Sequence, residues 1–306
     1  MNRRDFLRTS GAVGAGMGLT ALSGSPLVAA DVTKGAPNAE KLGWRLSCQA
    51  YTFNRFSFFE AVDKTASLGL HYIEAFPGQQ ISKNLSGTMG AEMTAAQRKE
   101  VLKKLSDSAV KMVNFGVGGY DRKQFEFAKE MGIETLVAEP NENDFDALDK
   151  LCGEFQINVA IHDHPKPSHY WNPDTVLKVC RSRSKRIGAC ADTGHWARSG
   201  FVPLDCIKKL KGRIISFHFK DLNKMGMDAH DVPWGTGVCD VKGMLMEIHR
   251  QKLKAVFSIE YEYHWDNSLP EIAKCVAYFD RVALELAAMD ENTPPDRRTS
   301  IRKFLK

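Results

Sequence analysis

The sequence predicts a single (β/α)8 barrel, on two observations. Eight short β-type runs alternate with eight stretches of helical spacing, and the repeat fills residues 44–289, the usual size of such a barrel. The β-type runs are 44–50, 70–75, 110–115, 133–138, 157–162, 186–191, 213–219 and 255–260. The helical stretches are 58–68, 95–108, 122–131, 145–155, 173–180, 203–210, 241–250 and 269–288. Start signals mark several of them: Asn172-Pro173-Asp174 opens the fifth helix and Asp240 precedes the seventh. A doubly wound parallel sheet would normally carry a glycine-rich first turn, and none follows Ala50. The second βα loop, 77–93, is long enough to cover part of a site.

Both ends of the chain read as lying outside the barrel. The opening MNRRDFLRTS pairs Arg3 with Arg4 ahead of Phe6 and Leu7, then a Gly/Ala-rich stretch leads to Val28-Ala29-Ala30. This resembles a twin-arginine export signal over residues 1–30, cleaved after Ala30, and implies a periplasmic or otherwise exported protein. Gly11, Gly14, Gly16 and Gly18 make the segment too weakly apolar for a stable span, so no membrane insertion is expected after cleavage. Residues 31–43 read as a polar linker and 290–306 as a charged tail. Lys and Arg number 42 against 37 acids, a surplus of 5 with several bases in the terminal segments, so charge suggests no nucleic-acid partner. Seven scattered cysteines without a CxxC pair exclude a disulfide framework and a cysteine-ligated zinc module. Oligomeric state is left open.

Polar residues collect where the strands end, which in this architecture is the active face. Strand four ends in Ala138-Glu139-Pro140 and strand five in His162-Asp163-His164-Pro165. Strand six runs into Asp192-Thr193-Gly194-His195-Trp196, strand seven carries His218-Phe219-Lys220-Asp221, and strand eight ends Glu260-Tyr261-Glu262. Carboxylates and imidazoles on one rim suit a divalent ion (Mn²⁺, Co²⁺, Fe²⁺, Zn²⁺ or Mg²⁺), and the absence of thiolates there argues against a closed structural zinc site. Such an ion polarises a carbonyl and stabilises an enediolate, so that a nearby carboxylate or imidazole can remove the α-proton. Tyr51, Phe53, Phe76, Trp171, Trp196, Trp234 and Trp265 are candidate flat walls for a sugar. Lys220 and Lys224 are candidates to meet an anionic group, although Lys220 is as well placed to pair with Asp221.

The runs ADTGHW (191–196), HFKD (218–221), HDVPWGTG (230–237) and IEYE (259–262) resemble the xylose-isomerase-like barrel superfamily. This is the sugar phosphate isomerase/epimerase group that also includes D-tagatose 3-epimerase and endonuclease IV. The resemblance implies a metal held by Asp192, His218 and Glu260, with His195 on a substrate oxygen. In the epimerases a glutamate ending strand five is the fourth ligand, and here that place is His162. Glu139 is therefore expected as the missing carboxylate ligand, with His162 or His164 completing the shell or acting as base. Expected catalytic residues are Glu139, Glu260, His162 and His164; expected substrate contacts are His195, Trp196, Lys220 and Tyr51. The nuclease branch needs histidines from strands two and three, where Glu74-Ala75-Phe76 and Asn114-Phe115-Gly116 supply none. The expected function is that of an exported metal-dependent sugar isomerase or epimerase. Its rivals are a lyase or hydratase of 3-keto-glycosides using the same metal, and a non-catalytic carbohydrate-binding barrel.

Overall fold

The structure is a computed structural model that describes residues 34–291. The export signal, the start of the expected linker and the tail from residue 292 lie outside the described residues. The first half of the chain runs α1 (Pro37–Lys41), β1 (Arg45–Gln49), α2 (Phe58–Ser67), β2 (Tyr72–Ala75), α3 (Ala95–Asp107), β3 (Lys111–Phe115), α4 (Arg122–Met131), β4 (Thr135–Ala138) and α5 (Phe145–Phe155). It continues β5 (Asn158–His162), α6 (Pro173–Cys180), β6 (Ile187–Asp192), α7 (Thr193–Arg198), α8 (Pro203–Lys209), β7 (Ile214–Phe219), α9 (Val241–Arg250), β8 (Val256–Ile259) and α10 (Leu269–Glu291). The eight strands are parallel and close in sequence order, with β8 returning to β1 through Arg45 opposite Val256. Every expected strand is present, so the chain is a (β/α)8 barrel.

Local chemistry sets the helix starts. Ser57 and Glu60 form a reciprocal capping box on α2, and Thr94 and Gln97 do the same on α3. Asn172 caps α6 ahead of Pro173, and the Asp240 side chain accepts from the Gly243 N–H to open α9. Three helices differ from the sequence reading. Inside the expected linker, Pro37–Lys41 forms α1, because Asp280 on α10 supplies acceptors for its start. Asp280 Oδ1 accepts from the Asn38 and Ala39 N–H groups at 2.7 and 3.1 Å, and Oδ2 accepts from Asn38 Nδ2 at 2.8 Å. The DTGHW run is itself the start of α7, and α10 continues to Glu291 rather than stopping near Ala288.

Strand alternation divides the barrel into two environments. Cys48, Ile73, Phe115, Phe217, Phe219, Phe257 and Ile259 belong to the apolar core, where Phe217 stacks on Phe257 at 4.8 Å. Residues between them carry polar groups that meet inside the barrel: Glu74 Oε2 accepts from Asn114 Nδ2 at 3.2 Å and from Ser258 Oγ at 2.6 Å. A small plug of Val137, Ala160 and Cys190 forms a separate buried apolar cluster. The barrel therefore places its buried polarity in the interior.

Asp280→Ala is expected to destabilise the protein by about 1–3 kcal/mol, because it orphans the α1 donors. A lowered thermal midpoint, with faster hydrogen exchange at Asn38 and Ala39 than elsewhere, is the expected result; an unchanged midpoint contradicts this anchoring.

Candidate active site

Register decides which side chains reach the strand-end face. Asp192 and His218 are direct partners across β6 and β7, and His218 stands opposite Ser258 on β8. Asp192 ends β6 and caps α7, with Oδ1 accepting from the His195 N–H at 2.7 Å. Its own N–H donates to Asp163 Oδ1 at 2.8 Å. Burial, reinforced by the neighbouring Asp192 charge, holds Asp163 well above the usual carboxylate range. Gly194 is needed at the turn, since a Cβ there would lie 2.7 Å from Lys220 Cδ.

Four buried side chains converge: His162, Asp192, His218 and Glu260 each offer a ligand atom, all within 4.8 Å of one another. His218 Nδ1 lies 3.2 Å from Glu260 Oε2 and 4.0 Å from Asp192 Oδ2, while His162 Nε2 lies 3.7 Å from Asp192 Oδ2. The far side of each ring is held by an acceptor. His218 Nε2 donates to Glu74 Oε1 at 2.7 Å, and His162 Nδ1 donates to Glu139 Oε1 at 3.3 Å. The near nitrogens, His218 Nδ1 and His162 Nε2, are buried without a hydrogen-bond partner. Two orphaned ring nitrogens facing two carboxylate oxygens, with a carboxylate behind each ring, are what a divalent cation requires. The residues present fit such an ion, and the nitrogen–oxygen donor set suits Zn²⁺, Co²⁺, Fe²⁺ or Mn²⁺.

The electrostatics agree. Burial opposes a charged His162 ring, yet Asp192 and Glu139 outweigh it and make the ring more basic than usual. For His218 burial again opposes, and Cys190, Glu260 and Glu74 outweigh it. Glu260 is held below its ordinary range despite burial, by His218 and Lys220. The same excess of negative charge attracts a metal ion, which takes a site in competition with protons.

The structure places the remaining expected residues as follows. Glu139 stands behind His162 rather than among the four converging groups; its Oε1 also accepts from His164 Nδ1 in a close hydrogen bond. Burial opposes ionisation of Glu139, but the His162 and His164 hydrogen bonds hold it well below the usual range. Lys220 is fully buried, with Nζ 2.8 Å from Asp192 Oδ2, 2.7 Å from Glu260 Oε2 and 3.2 Å from Glu262 Oε2. Burial opposes its charge, and those three carboxylates hold it well above the usual lysine range. Its partner is not Asp221. That carboxylate accepts instead from the Gly235, Gly237 and Cys239 N–H groups at 2.9, 2.9 and 3.0 Å, which pins the HDVPWGTG loop. The tight approach requires Gly237, where a Cβ would lie 2.4 Å from Asp221 Oδ1.

A cavity of about 360 Å³ opens above the four converging groups, a size suited to a small molecule. Its walls include Tyr51, Phe76, His164, His195, Glu260 and Glu262. Tyr51 and Phe76 meet edge to face at 5.2 Å. Trp196, Phe53 and Trp234 are packed in the apolar core and do not line it, because α7 turns the Trp196 indole away from the cavity. A larger cleft of about 670 Å³ beside the loop after β8 contains none of the converging groups. His195 sits in the wall with Nδ1 accepting from Arg198 Nη1 at 3.2 Å. Burial, with the nearby Lys220 and His162 charges, holds it well below the usual histidine range against the pull of Asp192. Glu74 and Arg198 were not among the sequence candidates. Glu74 had a signal, an acid within a strand buried on both faces; Arg198 had none.

The sequence profile of the xylose isomerase-like TIM barrel family matches residues 62–281, and that of the twin-arginine translocation signal matches residues 1–20. No curated protein matches the chain. Among solved structures, an uncharacterised protein from Parabacteroides distasonis is 31% identical with a TM-score of 0.63, covering 80% of this chain and 98% of that one. A D-tagatose 3-epimerase-like protein is 15% identical with a TM-score of 0.59, covering 81% and 96%. The IOLI protein with a bound zinc atom is 14% identical with a TM-score of 0.60, covering 80% and 98%.

Lys220→Met removes the ammonium that Asp192 and Glu260 share, and is expected to cost about 3–5 kcal/mol in chelator-treated protein. Excess Zn²⁺ or Mn²⁺ is expected to restore most of that loss. Denaturant unfolding with and without metal measures both; an equal loss in the two conditions contradicts a cation site at these carboxylates.

Proposed function

We propose, from the premise that the chain belongs to the xylose isomerase-like TIM barrel family, that it is a divalent-metal-dependent enzyme that isomerises or epimerises a carbohydrate by abstracting a proton next to a carbonyl. The observation that carries this reading is the pair of orphaned nitrogens, His162 Nε2 and His218 Nδ1, facing Asp192 and Glu260 below the cavity. Those four residues would hold the ion. When bound, it polarises the substrate carbonyl and stabilises the negative charge that develops on its oxygen.

His164 is the base in this reading. Its Nδ1–H donates to Glu139, so Nε2 is left to accept a proton, and the ring is half-exposed in the cavity wall. Glu139 fixes the ring and stabilises the imidazolium that forms. Lys220 orders Asp192, Glu260 and Glu262 through its three contacts. Tyr51 and Phe76 give the C–H face of a sugar an apolar wall. Returning the proton to the adjacent carbon, with the hydroxyl proton passing between the two neighbouring oxygens, completes an isomerisation; delivery of a proton to the opposite face of the same carbon completes an epimerisation. The likeness to a D-tagatose 3-epimerase-like fold and the zinc in the IOLI protein support the reading, and the twin-arginine match supports its use in the periplasm or outside the cell.

One observation favours a second outcome from the same first step. Glu260 is engaged by His218 and Lys220, and His162 stands where the epimerases carry a glutamate, so His164 is the base left free. A single free base suits proton abstraction followed by expulsion of a neighbouring substituent, as in a lyase or hydratase acting on a 3-keto-glycoside. Turnover of ketoses and 3-keto-glycosides in heavy water separates the outcomes. An isomerase or epimerase returns deuterium-labelled sugar of the same skeleton, and a lyase releases an aglycone and an unsaturated product. A barrel that only binds carbohydrate gives no metal-dependent exchange, which would overturn both.

His164→Asn is expected to lower metal-dependent turnover by about 10²–10⁴-fold while leaving metal stoichiometry unchanged. Turnover equal to that of the unaltered protein would contradict the assignment of the base.

A further inference from the structure

We propose that Arg198 is a positioning residue that fixes His195 as the Nε2–H tautomer, so that the cavity holds a hydrogen-bond donor beside the inward nitrogens of His162 and His218. A guanidinium carries only donors. With Arg198 Nη1 at 3.2 Å from His195 Nδ1, that ring nitrogen must be the acceptor, and the ring's hydrogen sits on Nε2. Nε2 is on the side of the four converging groups, 3.5 Å from Asp192 Oδ2, in a ring that lines the cavity.

The three imidazoles around the cluster are thus sorted by the sign of the partner behind them. Behind His162 and His218 stands a carboxylate, Glu139 and Glu74, which accepts the far nitrogen's hydrogen and leaves the near nitrogen to give its lone pair to a cation that displaces the proton there. Behind His195 stands a cation, which takes the far lone pair and aims an N–H inward. His162 and His218 are set to ligate, and His195 is set to donate. The arrangement also keeps His195 out of the ligand set, although it lies as near Asp192 as His162 does.

Arg198 is itself held. It sits three residues after His195 on α7, which places the two side chains on one helix face. Its Nη2 donates to Asp231 Oδ2 at 3.1 Å and its Nη1 to Glu262 Oε2 at 3.2 Å. Lysine presents a point charge rather than a planar fork and cannot reproduce the three contacts. The catalytic consequence rests on the proton-abstraction reading: the fixed Nε2–H faces the substrate oxygen where negative charge grows.

Long-range ¹H–¹⁵N spectra of protein labelled at histidine, with His195 assigned by His195→Gln, test the tautomer in chelator-treated and zinc-loaded samples. The expected signature is an unprotonated Nδ1 and a protonated Nε2 for His195 in both. A protonated Nδ1 in the unaltered protein overturns the proposal without any variant of Arg198. In Arg198→Met and Arg198→Lys, with folding checked by near-ultraviolet circular dichroism, His195 is expected to lose this fixed signature; its retention shows that Arg198 does not set the tautomer. On a substrate turned over in a metal-dependent manner, Arg198→Met is expected to lower kcat by about 10²–10³-fold with a smaller change in KM. Unchanged kcat there overturns the positioning role while proton abstraction stands. Absence of any metal-dependent turnover sinks the functional reading instead, and the spectra still decide the tautomer.

Discussion

Burying several carboxylates at one end of a closed barrel is the constraint around which the rest of this molecule is arranged. Glu74, Asp192 and Glu260 are almost wholly removed from solvent, and each is costly there unless it is paired. Lys220 answers Asp192 and Glu260, the two far-side imidazole N–H groups answer Glu74 and Glu139, and the near nitrogens face the Asp192 and Glu260 carboxylates without a hydrogen-bond partner. Strand pairing enforces this geometry. Asp192 opposite His218, and His218 opposite Ser258, bring groups far apart in the chain to one level. Outward residues of the same strands, such as Phe217 and Phe257, meanwhile build the apolar layer that holds the level in place.

Most of the fold was legible because its signals are local. Short β-type runs alternating with helical spacing mark the βα units, and α4, α5, α6 and α9 begin and end where their spacing indicates. What failed to show was tertiary. The α1 helix is five residues long and depends on Asp280, some 240 positions away, so no pattern within residues 31–43 announces it. Trp196 reads as a rim aromatic until α7 forms and carries its indole into the core.

The site was legible to the level of the rim and no finer. Convergence of Asp192, His218 and Glu260 follows from their place at strand ends, but the fourth member of the set depends on which way a side chain leaves its strand. His162 is the last residue of β5 and faces inward, whereas Glu139 lies one position past the end of β4 and approaches His162 from behind. A sequence gives both as carboxylate or imidazole at a strand terminus. Only coordinates separate a side chain that enters the buried converging set from one that stands behind a member of it. The same holds for Arg198, whose role is visible only from the atom it donates to.

The central claim is that two imidazoles and two carboxylates share one cation, with Glu139 outside that set. Anomalous diffraction from crystals grown with Zn²⁺ or Mn²⁺, collected at the edge of the added metal, tests it most directly. The account predicts one strong peak enclosed by His162, Asp192, His218 and Glu260, with Glu139 against the far nitrogen of His162. A peak bound by Glu139 in place of His162, or an empty site in which Lys220 still bridges Asp192 and Glu260 at saturating metal, would contradict it.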